Sequence, residues 1–167
     1  MTRKTTVVKR LLHGALILGW IPTLAFATGA AWIDRGAHAA AAPTPVKVTR
    51  IYTGPDGKTK AEEFEIPMKP RNAGSDLSAS VALTSLQVRR TTPEYFLDWH
   101  PAPRRQLVVT LSGESEIELD GGKKIRLGPG HILLAEDTTG QGHISRALKG
   151  DRIALDIGLA DGATLPR

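Results

Sequence analysis

The sequence predicts an all-β domain, a two-sheet barrel of the jelly-roll kind, behind an apolar N-terminal segment. Three observations carry that expectation. Short runs rich in β-branched or alternating apolar residues recur from Val46 to the C-terminus, each closed by a Gly or Pro turn signal. No helical periodicity follows residue 40. One stretch, Glu114–Leu127, has the full pattern of a hairpin, with alternating Glu116-Ile117-Glu118-Leu119, the turn Asp120-Gly121-Gly122, and a return through Ile125 and Leu127.

Taken in order, Val46, Val48 and Tyr52 begin a strand that Gly54-Pro55-Asp56-Gly57 ends as a turn. Glu63–Met68 reads as a short strand, Pro70–Ser78 as a polar loop, and Val81–Arg89 as a strand broken by Thr92-Pro93. Tyr95 and Phe96 are expected in the core. Leu107–Leu111 suits a buried strand, and Ser112-Gly113 is expected to close it as a turn. In the hairpin that follows, Glu116 and Glu118 are expected on a wet face beside Lys124 and Arg126. Gly128-Pro129-Gly130 is the next turn. His131, expected to be solvated, opens an apolar strand to Ala135. Glu136–Gly142 is a loop, His143 opens another strand, and Arg152–Leu159 alternates with Ile153, Leu155, Ile157 and Leu159 on one side.

Residues 1–40 read as a signal peptide or, alternatively, a retained membrane anchor. Met1–Arg10 is basic, residues 11–33 are uncharged and apolar, and Ala37-His38-Ala39 is an Ala-x-Ala cleavage signal. Residues 41–45 are a linker, and residues 46–167 the β domain. Either reading of the first segment delivers the domain outside the cytoplasm, as a periplasmic, extracellular or membrane-anchored protein. The membrane would be touched only through residues 11–33, if they are kept.

The formal charge is +5, but residues 1–40 hold five basic side chains and one acidic, which leaves the remainder near balance. No basic face for nucleic acid is implied. The chain has no cysteine, which excludes disulfides, a thiolate nucleophile and cysteine-ligated zinc.

The chemistry concentrates in DWHPAPRRQLVVTLSG, residues 98–113, and in GQGH, ending at His143. Asp98, His100, Arg104 and Gln106 share even parity, so an extended chain would point them to one face. Trp99, Pro101 and Pro103 would face the other way, and the two prolines remove ladder donors, which suits an edge or an irregular approach. These stretches resemble the motifs of the cupin family. His100 stands at the first histidine of the first motif, Gln106 at its glutamate and Gly113 at its closing glycine, while Ala102 occupies the second histidine. In the second motif Gly140 and His143 match, with Thr138 where proline is usual and Ala147 where asparagine is usual. The resemblance implies a cupin-type double-stranded β-helix, or jelly-roll barrel, preceded here by a hydrophobic signal helix. It also implies that such barrels often pair as dimers.

A full cupin site holds a divalent ion with three imidazoles and a carboxylate. This chain keeps His100, His143 and Gln106, and Asp98 is a candidate to restore a two-histidine, one-carboxylate set for iron, manganese, nickel, copper or zinc. Glu136 and Asp137 are further donors. The alternative is a metal-free polar pocket in which both histidines bind an organic molecule. Arg104 or Arg105 is expected to alternate inward and hold a carboxylate or phosphate through a bidentate fork. The second possibility is that both anchor acidic loop residues such as Asp137. Trp99 either stacks on the ligand or packs in the core. Two function classes remain open: a barrel that binds a small polar or anionic molecule, with or without a divalent metal, and a metal-dependent enzyme of oxygenase or isomerase type acting on a small oxygenated substrate.

Overall fold

The computed structural model describes residues 43–167, so the signal or anchor segment 1–40 lies outside the described residues. Ten strands follow, β1 Lys47–Thr53, β2 Thr59–Glu65, β3 Lys69–Asn72, β4 Ser75–Leu77, β5 Leu83–Thr91, β6 Phe96–His100, β7 Gln106–Glu118, β8 Lys124–Leu127, β9 Ile132–Glu136 and β10 His143–Leu159. A single 3₁₀ turn, Asp120–Gly122, is the one helical piece among the described residues, and no helix there is long and apolar enough to cross a membrane. The expected all-β barrel of jelly-roll type is what forms. Residues 70–78, expected as a loop, make the small β3–β4 hairpin instead.

The long strands β7 and β10 run antiparallel along one another and serve two sheets. The first half of β7 pairs with β9, and its second half with β8. On its other side β10 pairs with β6 near His143 and with β5 from Arg152 onward. β1 joins β9 in parallel and β2 in antiparallel register. One sheet is therefore β2-β1-β9-β7-β10-β5, and the same two central strands bend over to form the second with β8 and β6.

The bend is where two sequence expectations fail. Ser112-Gly113 does not end a strand; β7 continues through it, with Gly113 at φ 70° and slips in the β7–β10 register opposite. A β-carbon on Gly113 would lie 2.3 Å from the Asp151 carbonyl oxygen, so the strands cross where only glycine fits. A bulge of this kind inserts a residue and inverts the face of everything after it. In β7 the even residues Gln106, Val108 and Thr110 are buried before the bulge, and after it the odd residues Ser115 and Ile117, followed by Leu119 just past the strand. β10 switches likewise. Its buried residues beyond the corner are Arg152, Ala154, Asp156 and Gly158, whereas Ile153, Leu155 and Ile157 are only half-buried on the opposite face.

Two apolar layers result. Ile51, Val108, Ile117, Leu127, Leu133 and Ala154 fill the barrel interior. On the outer face of the larger sheet, Val48, Leu134 and Leu159 are covered by Leu165 of the C-terminal segment. Phe96 is 59% exposed and not part of either layer, contrary to expectation, because β6 pairs only with β10 and leaves that face uncovered. Glu116 is almost fully buried rather than on a wet face, since Arg146 of β10 joins Lys124 in pairing with it.

Candidate functional site

The interior opens as a pocket of ≈ 290 Å³ between the two sheets. Its apolar wall is Val108, Ile117, Leu127, Leu133 and Ala135, and its polar groups include His100, Arg104, Gln106, His143, Arg152 and Asp156.

His100 ends β6 and His143 begins β10, and the two are direct partners across that ladder. Their ring centroids are 4.5 Å apart at 53°. Each ring is held by its Nδ1. That of His100 lies 2.7 Å from the Asp98 carbonyl oxygen, and that of His143 lies 2.7 Å from Asp137 Oδ2. Both acceptors are oxygens, so both Nδ1 atoms carry the proton, and a ring in its neutral form then presents its lone pair at Nε2. Burial, joined by the neighbouring His143 ring, holds His100 below the ordinary histidine value against the pull of the Asp98 carbonyl. His100 is thus a neutral acceptor at pH 7.

The two loops are locked together beneath these rings. Asp137 is fully buried, accepts a second bond from Thr59 Oγ1 at 3.1 Å, and its backbone carbonyl accepts the Ala102 N–H at 3.0 Å. Gln106 opens β7, where its Oε1 is buried without a hydrogen-bond partner. Gln106 lines the same pocket as the two imidazoles, and by residue type this orphan carbonyl oxygen and two imidazoles, with a carboxylate behind one of them, are donors that fit a divalent cation.

Several expected residues stand elsewhere. Asp98 is exposed, and its carboxylate turns back to accept the Trp99 backbone N–H at 2.8 Å, so it contributes to the site only through its carbonyl. Among the described residues no group of three His, Asp or Glu side chains is arranged to hold a metal, and the two-histidine, one-carboxylate set is not formed. Trp99 is 39% exposed and does not line the pocket; it neither stacks there nor packs in the core. Asp137 does not line the pocket either, since His143 stands between. The shared parity therefore holds for His100, Arg104 and Gln106 and fails for Asp98.

Of the two adjacent arginines, Arg104 faces the pocket and donates to Gln87 Oε1 at 2.8 Å. Arg105 instead donates to Glu136 Oε1, at 2.5 Å from Nη2, and to the Ala163 carbonyl at 2.8 Å. Glu136, a candidate ligand, is committed there and to Arg50. Three pocket residues escaped sequence reasoning: Arg89, Arg152 and Asp156. Arg89 and Asp156 form an ion pair at 3.0 Å. Arg152 is buried and donates through Nε and Nη2 to Thr110 Oγ1. In the sequence they occupy the polar positions of an alternating strand, which read as the wet side.

No family model matches the chain, and no curated relative matches it. Among solved structures it is similar to DMSP lyase DddQ from Ruegeria pomeroyi DSS-3, at 21% identity and a TM-score of 0.40. That match covers 60% of each chain, so the chain spans less than two thirds of the lyase's length. It is also similar to protein NMB1881 from Neisseria meningitidis, at 12% identity and a TM-score of 0.37, over 53% of this chain and 91% of that one. A third, an RmlC-like cupin protein from Desulfovibrio desulfuricans, shares 23% identity and a TM-score of 0.34 over 47% of this chain and 80% of that one. The chemistry of the site rests on this chain's own residues.

Proposed function

We propose that this chain is a cupin-type barrel that binds a small polar or anionic molecule in its interior, gripping it between the paired imidazoles of His100 and His143. The observation that carries this reading is the anchoring of both Nδ1 atoms by oxygen acceptors, which leaves both Nε2 atoms of the adjacent rings free of those anchors in one pocket. Such a pair accepts from a ligand hydroxyl or other donor, and Gln106 Oε1 supplies a third acceptor. The pocket lies at the small end of ligand cavities, which run from about 300 to 1,000 Å³.

A second reading is supported by the same atoms, a divalent metal held by His100, His143 and Gln106, serving a metal-dependent enzyme. When bound, the ion would act as a Lewis acid toward an oxygen of the substrate. The Asp137–His143 contact favours this reading, because a carboxylate behind a ligating imidazole fixes its tautomer and strengthens it as a donor. The uncharged Gln106 in place of a carboxylate favours the first.

We further propose that the domain is exported, on the strength of the basic start, the apolar residues 11–33 and the Ala-x-Ala site at Ala37–Ala39, and that it acts as a monomer or homodimer without nucleic-acid partners. Elemental analysis and mass spectrometry of the purified protein beside His143→Ala test the site. The expected result is a small molecule, with or without stoichiometric metal, that co-purifies with the wild type and is lost from the variant. Equal occupancy in both proteins overturns the reading. Intact mass of the exported protein tests cleavage after Ala39.

A further inference from the structure

Arg152 is 4% exposed and lines the same pocket as the two histidines. Its Nε and Nη2 lie 3.2 and 2.8 Å from Thr110 Oγ1, a neutral acceptor that itself is almost fully buried. Among the described residues no carboxylate oxygen comes within 4.0 Å of its guanidinium, and Nη1 has no partner. The nearest acidic side chain on the same face of β10, Asp156, is taken by Arg89 at 3.0 Å through both of its oxygens. Burial and the nearby Arg89 push the Arg152 guanidinium below its ordinary value against the weaker pull of Asp156 and Tyr95, yet arginine stays charged.

A buried charge whose nearest counter-charge, Asp156, acts only at a distance and is in contact with another arginine is costly, and proteins tolerate it where a ligand supplies the missing contact partner. The Thr110 hydroxyl fixes one edge of the fork and leaves Nη1 for a visitor. Along β10, Arg152 lies past the corner while His143 begins the strand, so the two occupy different regions of one cavity. The pocket lining carries three arginines against one carboxylate. We infer that the ligand is a small organic oxyanion, a carboxylate or phosphate bound by Arg152 at one end, with a hydroxyl or metal-binding oxygen at the other end meeting His100 and His143. The inference rests on the proposed reading of the histidine pair and adds the class of ligand and the residue that selects it.

Calorimetric titration with lactate, with its neutral counterpart propane-1,2-diol and with inorganic phosphate, at constant ionic strength, tests it on the wild type, Arg152→Met, Arg152→Lys and His143→Ala. The expected result is that the wild type binds at least one of the two oxyanions ten-fold or more tightly than the diol, and whichever of them binds names the headgroup. Arg152→Met should remove that preference and Arg152→Lys should keep part of it. His143→Ala should weaken lactate and the diol by the same factor while the preference stays. Without ligand, Arg152→Met should melt no lower than the wild type, because an apolar side chain replaces an unpaired buried charge. If neither oxyanion outcompetes the diol on the wild type, or if the preference survives in Arg152→Met, the inference is overturned and the histidine reading stands. If His143→Ala leaves every probe unchanged while both Arg152 variants lose the oxyanion, the histidine reading falls and Arg152 remains the anion anchor. Should Arg152→Met fail to fold, Arg152→Lys and the wild-type comparison decide.

Discussion

Gly142 lies so close against His100 that a β-carbon built on it would fall 1.9 Å from the His100 carbonyl oxygen. Its φ of 76° is one that only glycine adopts without strain. The glycine just before His143 thus sets how near β10 can approach β6, and with it the spacing of the imidazoles. Gly142→Ala should destabilise the domain by at least about 2 kcal/mol, from backbone strain of roughly 1–3 kcal/mol plus the clash. Gly162→Ala is the control: its φ is 71°, but its β-carbon would meet open space. It should lose only the left-handed backbone cost, about 1–2 kcal/mol, without the clash. Denaturant titration of both variants checks this; equal losses would mean that the close approach at His100 is relaxed without cost.

Asp137 reaches the pocket only through His143. Its carboxylate accepts from that ring at 2.7 Å, which fixes the proton on Nδ1. Asp137→Asn keeps the shape but offers an amide that donates as well as accepts. The expected outcome is a shift of the His143 proton toward Nε2 and a loss of ten-fold or more in affinity for Zn²⁺ or for the co-purifying ligand. Long-range proton–nitrogen spectra of the imidazoles read the tautomer, and titration reads the affinity. An unchanged His143 tautomer would show that Asp137 serves only to tie its loop to Thr59.

Much of the fold was legible because strand periodicity and turn residues are local signals. β1, the Glu114–Leu127 hairpin, β9 and the start of β10 at His143 all form where the residues suggest. The two histidines were legible for the same reason, since each stands in a short motif at an element boundary. What escaped depends on which side of a strand is covered. The outer face of the larger sheet is itself partly apolar, so Ile153 and Leu155, only half-buried there, look like core while Arg152 and Asp156 are the ones turned inward. Gly113 carried the hint, being read as a turn when it marks the bulge that inverts the pattern. Asp98 failed because its carboxylate found a nearer donor, the backbone N–H of Trp99.

His131 should make the domain less stable in mild acid. Its Nε2 is buried with no partner, and burial holds it below the ordinary histidine value, with Arg152 adding to the effect and Glu63 opposing it. The folded state therefore prefers the neutral ring. This contribution is fully present above the unfolded value of about 6.5 and is lost as pH falls through it, because the unfolded chain takes the proton first. Melting curves from pH 8 to 5 should show the wild type losing more than His131→Gln over that window. Parallel curves would place the ring in water.

Glu136 is a two-armed electrostatic clamp beside the site. Its carboxylate accepts Arg50 Nε at 2.6 Å and Arg105 Nη2 at 2.5 Å, which ties β9 to β1 and to the entry of β7 beside Gln106. Arg105 extends the clamp to the C-terminal segment through the Ala163 carbonyl, and Arg50 extends it to Glu62. Burial alone would raise the Glu136 carboxyl, but the two guanidinium groups outweigh it and hold the group below the usual carboxylate range. Glu136→Gln leaves both arginines short of a charge, at a cost of about 1–3 kcal/mol given their partial exposure. A lowered folded value stabilises fully above the unfolded value of about 4.3, and that contribution disappears as pH falls through the folded one. Wild type and Glu136→Gln should accordingly differ at pH 7 and converge in strong acid. A constant gap in thermal midpoint across that range would assign the loss to packing rather than to charge.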